Sequence, residues 1–127
     1  MAKRTRSHHT ARDYPRTARL NRLFQEILAE ELERVDDERL ELVTITAVDC
    51  DAALAKAVVL YDNPGGADDD DEVLEGLAEA RLRLQAAIAR QARVKRTPEL
   101  VFRPDDVLRG AARLEEVLRD LRDDDPS

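Results

Sequence analysis

The sequence predicts one small α+β domain, a three-stranded sheet packed by helices in the order helix, strand, strand, helix, strand, helix. Three observations carry that reading. Three stretches repeat apolar residues at helical spacing, two β-branched runs joined by a short link end in the turn signal "NPGG" at 63–66, and a further apolar run, "ELVF", follows Pro98. At 127 residues and 43% hydrophobic, the chain can hold one compact core but not two ordinary ones.

Residues 1–15 mix charge, histidine and small polar side chains and are expected to form a flexible basic arm, with the domain running from Arg16 to 122. From Arg16 to Val35, the residues Leu20, Leu23, Phe24, Ile27, Leu28, Leu32 and Val35 share one face of a helix. Its first half carries Arg16, Arg19 and Arg22 and its second half Glu30, Glu31 and Glu33. That order opposes the helix dipole and points to another use for the arginines. Next, "ELVTITAVDC" alternates, with Val43, Ile45 and Ala47 on one side and Thr44, Thr46 and Val48 on the other. After the link "DAAL", the run "AKAVVLYDN" returns to make an antiparallel hairpin.

Asp70 or Asp71 is placed to cap a second helix whose Val73, Leu77, Ala80, Leu84, Ala87 and Ile88 form its inner face. A third strand is expected over 94–102; Pro98 has no N–H for the ladder, which puts this strand at an edge or bends it. Asp105 or Asp106 then caps a last helix reaching about Arg122, with Val107, Leu108, Ala111, Leu114, Val117, Leu118 and Leu121 facing inward. An acidic tail, 123–127, follows.

Charge is the functional signal. The net charge of −7 argues against a nonspecific polyanion binder, but its distribution is uneven. Met1 to Arg22 carries seven cations against Asp13 alone, and Arg81 to Arg96 carries six cations and no acid. The acids lie in "DDDDE" at 68–72, in 30–41 and in the tail. No apolar run approaches the roughly 18–20 residues a membrane span needs, and the N-terminal stretch lacks a secretory signal, so a soluble cytoplasmic protein is expected. Cys50 is the one cysteine, without a disulfide partner or a placed base. His8 and His9 have no companion ligands, the run at 68–72 reads as a solvated loop, and Asp36, Asp37 and Glu38 have no cleft to serve. Neither a cofactor, a metal nor catalysis is expected.

The element order, the Arg-studded first helix ending in "LAEELERVDDERL" at 28–40, the strands "VTITAV" at 43–48 and "AKAVV" at 55–59, "TPELVF" at 97–102, and Asp105 with Gly110, Leu114 and Leu118 resemble the ribosome-binding factor A family over residues 16–121. The resemblance implies a single type II KH-like domain that binds the 30S ribosomal subunit through 16S rRNA. It also implies a role in late subunit maturation, 16S rRNA processing and cold adaptation, without catalysis. KH domains clamp RNA with a glycine-containing loop, which in this family is replaced by a kink written Ala-x-Gly. Here the corresponding stretch is Ala80, Arg81, Leu82, so a straighter helix, or a kink placed elsewhere, is expected, with Leu82 pointing outward.

For RNA contact the expected residues are Arg81, Arg83, Arg90, Arg93, Lys95 and Arg96, helped by Arg16, Arg19 and Arg22. Arginine holds phosphate bidentately and stacks on bases. With aromatics at 3% of the chain, a stacking platform is not expected. The chain is read as a monomer with no membrane or small-molecule partner. The rival reading is a protein–protein adaptor that works through its acidic surface.

Overall fold

The computed structural model describes the backbone of residues 2–123 and the side chains of 16–123. The tail at 124–127 and the side chains of 1–15, His8 and His9 among them, lie outside the described residues. In chain order come helix α1 (Ala2–Glu33), a 3-10 turn (Glu38–Leu40), strands β1 (Thr44–Cys50) and β2 (Lys56–Asp62), a second 3-10 turn (Gly66–Asp69), helix α2 (Asp70–Gln91), strand β3 (Glu99–Pro104) and helix α3 (Asp106–Asp123). α1 reaches back to Ala2, N-terminal to the start marked by the apolar spacing. The spacing locates the stretch that packs, and packing on the core begins at Leu20.

β2 is the middle strand. It pairs antiparallel with β1, from Thr44↔Asp62 to Cys50↔Ala57, and parallel with β3, from Lys56↔Glu99 to Tyr61↔Pro104. The expected hairpin is therefore present, and β3 is an edge strand. A bulge between Ile45 and Ala47 inserts Thr46 and resets the alternation, so Ile45, Val48 and Cys50 are buried while Ala47 is half-exposed. This corrects the simple alternation, which grouped Ile45 with Ala47 and set Val48 opposite. β3 also starts later than expected, at Glu99. Pro98 offers no N–H, so pairing begins at the next residue, whose N–H donates to the Ala55 carbonyl.

α1 and α2 bury their stripes on one side of the sheet. Phe24, Leu28, Leu77, Leu84 and Ile88 meet Val59, Tyr61 and Leu100 in the core. Leu23, read as part of the stripe, is exposed. The first 3-10 turn lies close on α2 because residue 76 is glycine: a Cβ there would sit 3.0 Å from Leu40 Cδ2. α2 is one helix through Leu82, whose side chain is exposed. Its N-cap is Asp69, not Asp70 or Asp71, and the Asp69 side chain makes no capping bond; the Asp70 carboxylate instead accepts from Arg109 and Tyr61.

The largest departure is α3. Asp105 caps it as expected, with Oδ1 accepting from the Leu108 N–H at 2.9 Å. Yet none of its residues is buried, and Val107, Leu108, Leu114, Val117, Leu118 and Leu121 are 45 to 84% exposed. The inward-facing reading of α3 is corrected here. Helical periodicity identifies an apolar face without naming what covers it, and α1, α2 and the sheet close the core without this helix.

Candidate RNA-binding surface

Charge separates along α2. Its N-terminal half carries Asp70, Asp71, Glu72, Glu75 and Glu79, and from Arg81 to Arg96 only cations occur. A helix of 22 residues is about 33 Å long at ~1.5 Å per residue, so Asp70 and Arg90 sit at opposite ends of it.

At the cationic end the chain leaves α2 into the loop 92–98, where Arg93, Lys95 and Arg96 are all exposed. The bond from Glu99 N–H to Ala55 O, 3.0 Å, ties the end of this loop to the β1–β2 turn. That turn is shaped by Asp51, whose Oδ1 accepts from Ala55 N–H at 2.7 Å, and by Leu54 in the left-handed region at φ 57°. α1 borders the same turn: Asn21 Oδ1 accepts from Cys50 N–H at 2.9 Å, and Arg16, Thr17 and Leu20 line a 360 Å³ depression with Asp51–Leu54. Arg16, Arg19 and Arg22 are exposed along this part of the helix. The turn thus lies between Glu99, at the end of the cationic loop, and Arg16 of α1, while Arg22 further along the helix lies 3.8 Å from Glu26.

The cations of α2 itself are less free. Arg81 faces Glu99 at 3.7 Å. Arg83 Nε donates to Glu31 Oε2 at 2.9 Å, with Arg90 3.5 Å and Arg34 3.6 Å from Oε1. Glu31 is buried, and the hydrogen bond from Arg83 holds its carboxyl below the usual range, assisted by the charges of Arg83, Arg34 and Arg90. Sequence reasoning listed Glu31 only with Glu30 and Glu33 among the acids of this helix. Its spacing from Ile27, Leu28 and Leu32 places it within the apolar stripe, which is the signal that marks it.

A larger cleft, about 690 Å³, lies instead between the end of α1 and β1 and is lined by Glu33, Arg34, Asp36, Asp37 and Glu38 with apolar neighbours such as Leu32 and Ile45. Asp37 there is held below its ordinary value by hydrogen bonds from Arg39, at 3.0 and 2.7 Å, and Arg39 also binds Glu79. Burial pushes the Cys50 thiol up, with Asp51 and Asp49 adding to the effect, which makes it a poor nucleophile. Among the described residues no three metal-type ligands come together, and no helix is long and apolar enough to cross a membrane.

Two helices on one side of a three-stranded mixed sheet, a third helix beyond the edge strand and a cationic end define a KH-like α+β domain of the second type. The chain belongs to the ribosome-binding factor A family, whose sequence profile matches residues 16–118. Ribosome-binding factor A of Rubrobacter xylanophilus is 38% identical over 111 residues, covering 87% of this chain and 90% of that protein. The crystal structure of ribosome-binding factor A from Thermus thermophilus superposes with a TM-score of 0.63 at 33% identity, covering 69% of this chain and 94% of that one. Coordinates of the Thermus thermophilus factor as fitted into a cryo-EM map of a 30S complex superpose with a TM-score of 0.54 at 33% identity, covering 65% of this chain and 87% of that one.

Proposed function

We propose that this protein is a noncatalytic assembly factor that binds the 30S subunit through 16S rRNA and assists its late maturation, including 16S rRNA processing and growth in the cold. What supports the reading is the set of exposed cations at that end, Arg93, Lys95 and Arg96 in the loop leading to Glu99 and Arg16, Arg19 and Arg22 on the part of α1 that borders the β1–β2 turn. The 30S complex of the Thermus thermophilus relative supports it. Arginine forks grip phosphate oxygens and position the domain without reading sequence. The acidic half of α2 keeps the opposite end off the RNA, so the charge pattern sets orientation as well as affinity. The basic segment 1–15 adds further attraction. The protein acts in the cytoplasm as a monomer and needs no cofactor or metal.

Sedimentation with small subunits, large subunits and naked 16S RNA across a salt series tests this. Binding selective for small subunits is expected, with affinity falling steeply as salt rises, by a log–log slope of roughly −0.7 to −0.9 per phosphate contacted. Charge reversal at Arg93, Lys95 and Arg96 together should abolish it. Equal binding to both subunits, or full binding by the reversed variant, would overturn the proposal.

A further inference from the structure

We propose that the groove running from the end of α1, across the start of β1, to the turn at 63–65 is a docking site for a lysine- or arginine-rich segment of a partner protein that also brings an apolar side chain. The inference goes beyond the RNA reading, uses none of the residues assigned to RNA, and stands or falls apart from it.

Two depressions that share Glu38, Glu41 and Val43 make up the groove. One, about 690 Å³, lies between α1 and β1, and the other, about 220 Å³, continues past Leu42 to Pro64, Gly65 and the first turn of α2. Leu32, Val35, Val43 and Val73 give it apolar walls. Leu42, in the chain between two residues that line both depressions, stands 69% exposed. It offers an anchor for an incoming apolar side chain.

The charge of the groove is of one sign and is not neutralised from within. Glu33, Asp36, Glu38, Glu41, Asp69 and Glu72 line it and make no ion pair among the described residues. The two arginines that line it are already held, Arg34 by Glu30 at 2.9 Å and Arg39 by Asp37 at 2.7 Å and by Glu79. The last turn of α1 carries no cation, so the negative end of the helix dipole adds to these carboxylates. Like charges gathered beside apolar walls repel one another, and a cationic partner relieves that repulsion.

Asn63 is an independent sign of a missing donor. It lines the second depression and is only 9% exposed, and its Oδ1 is buried with no hydrogen-bond partner among the described residues. Its Nδ2 donates to Asp70 at 3.5 Å, which leaves the oxygen as the unmatched end. Buried acceptors are paired with few exceptions, and an ammonium or guanidinium N–H is the kind of group this one lacks.

These features select the occupant together. Six unpaired carboxylates repel RNA and anionic lipid, and among the described residues no three metal-type ligands come together. A segment with several cations around an apolar residue meets the carboxylates, Leu42 with its apolar surroundings, and the unmatched oxygen at once.

The test titrates the full chain, followed by amide NMR, with a synthetic peptide of lysines around one leucine, with the same peptide carrying serine for leucine, and with spermidine. Saturable shifts over 33–45 and 63–73 are expected, with Arg93, Lys95 and Arg96 unmoved. Affinity should fall about tenfold for the serine peptide. It should fall by a similar factor for the Glu38→Lys, Glu41→Lys variant, whose changes are both exposed. Equal binding of the serine peptide or of spermidine would reduce the groove to unspecific attraction of polycations. No saturable shifts, or shifts centred elsewhere, would remove the site, and groove shifts that grow with protein concentration alone would assign it to a second copy. Each of these overturns the proposal and leaves the RNA reading untouched.

Discussion

Arg109 and Asp70, 39 positions apart in the chain, meet through two hydrogen bonds of 2.7 and 3.0 Å between guanidinium and carboxylate. Both side chains are 16% exposed, and Asp62 and the Tyr61 hydroxyl complete the cluster. Arg109→Met leaves the mostly buried Asp70 and the more solvated Asp62, 36% exposed, without their shared cation. Removing one partner of such a pair costs more than the intact pair contributes. Allowing for partial exposure, a loss of roughly 2 kcal/mol in urea unfolding is expected. A loss below about 0.5 kcal/mol, the scale of exposed pairs, would show that the cluster is solvated and does not anchor α3.

The same cluster predicts acid sensitivity. The Asp70 carboxyl is held below its ordinary value chiefly by the Arg109 hydrogen bond, Asp105 by that of Thr46, and Glu31 by that of Arg83. Carboxyls whose folded values are depressed stabilise the fold fully above their unfolded values, near pH 4, and lose that contribution as the pH falls through the folded ones. Stability should therefore be flat from pH 7 to about 5 and fall steadily below that. Urea midpoints measured across this range check the sign. The Arg109→Met variant should show a shallower decline, since Asp70 then lacks its largest depressing partner.

Those clusters explain where sequence reading succeeds and where it stops. The packed parts of α1 and α2, the hairpin and the Asp105 cap were legible because local pattern and tertiary role coincide at Phe24, Leu77 and Asp105. Thr46 broke the strand alternation because a bulge is set by pairing with β2, not by the composition of β1. α3 carries the same periodicity as α1, yet only the packed structure shows that none of the described residues buries its apolar face. The cationic blocks were visible as composition. That Glu31 occupies Arg83 and Arg90 while the loop leaves Arg93, Lys95 and Arg96 exposed was not, because a contact between α1 and α2 spans 52 positions.

Glu31→Gln separates the structural and binding uses of those arginines. It removes a buried acceptor charge beside three cations, so the fold should lose stability. The same change frees Arg83 and Arg90 for phosphate, and each new phosphate contact steepens the salt dependence by roughly 0.7 to 0.9. Tighter binding to small subunits at low salt, together with a lower unfolding midpoint, is the expected pair of outcomes. If binding is unchanged while stability falls, Arg83 and Arg90 serve the fold alone and the RNA surface shrinks to the loop and α1.

Gly110→Ala tests whether α3 is an independent helix. A Cβ at residue 110 meets nothing within 4 Å, and the position is exposed within α3. Alanine favours the helix by about 1 kcal/mol over glycine, which corresponds to about fivefold slower amide exchange in the helix around it. Because α3 contributes no buried residue to the core, the part of the helix beyond the Arg109 anchor opens locally, and Gly110→Ala should move the global urea midpoint much less than Arg109→Met does. Hydrogen exchange resolved along the chain distinguishes the cases. Slower exchange confined to α3 is expected for a helix that opens on its own, whereas an equal gain in global stability would mean that α3 unfolds together with the core.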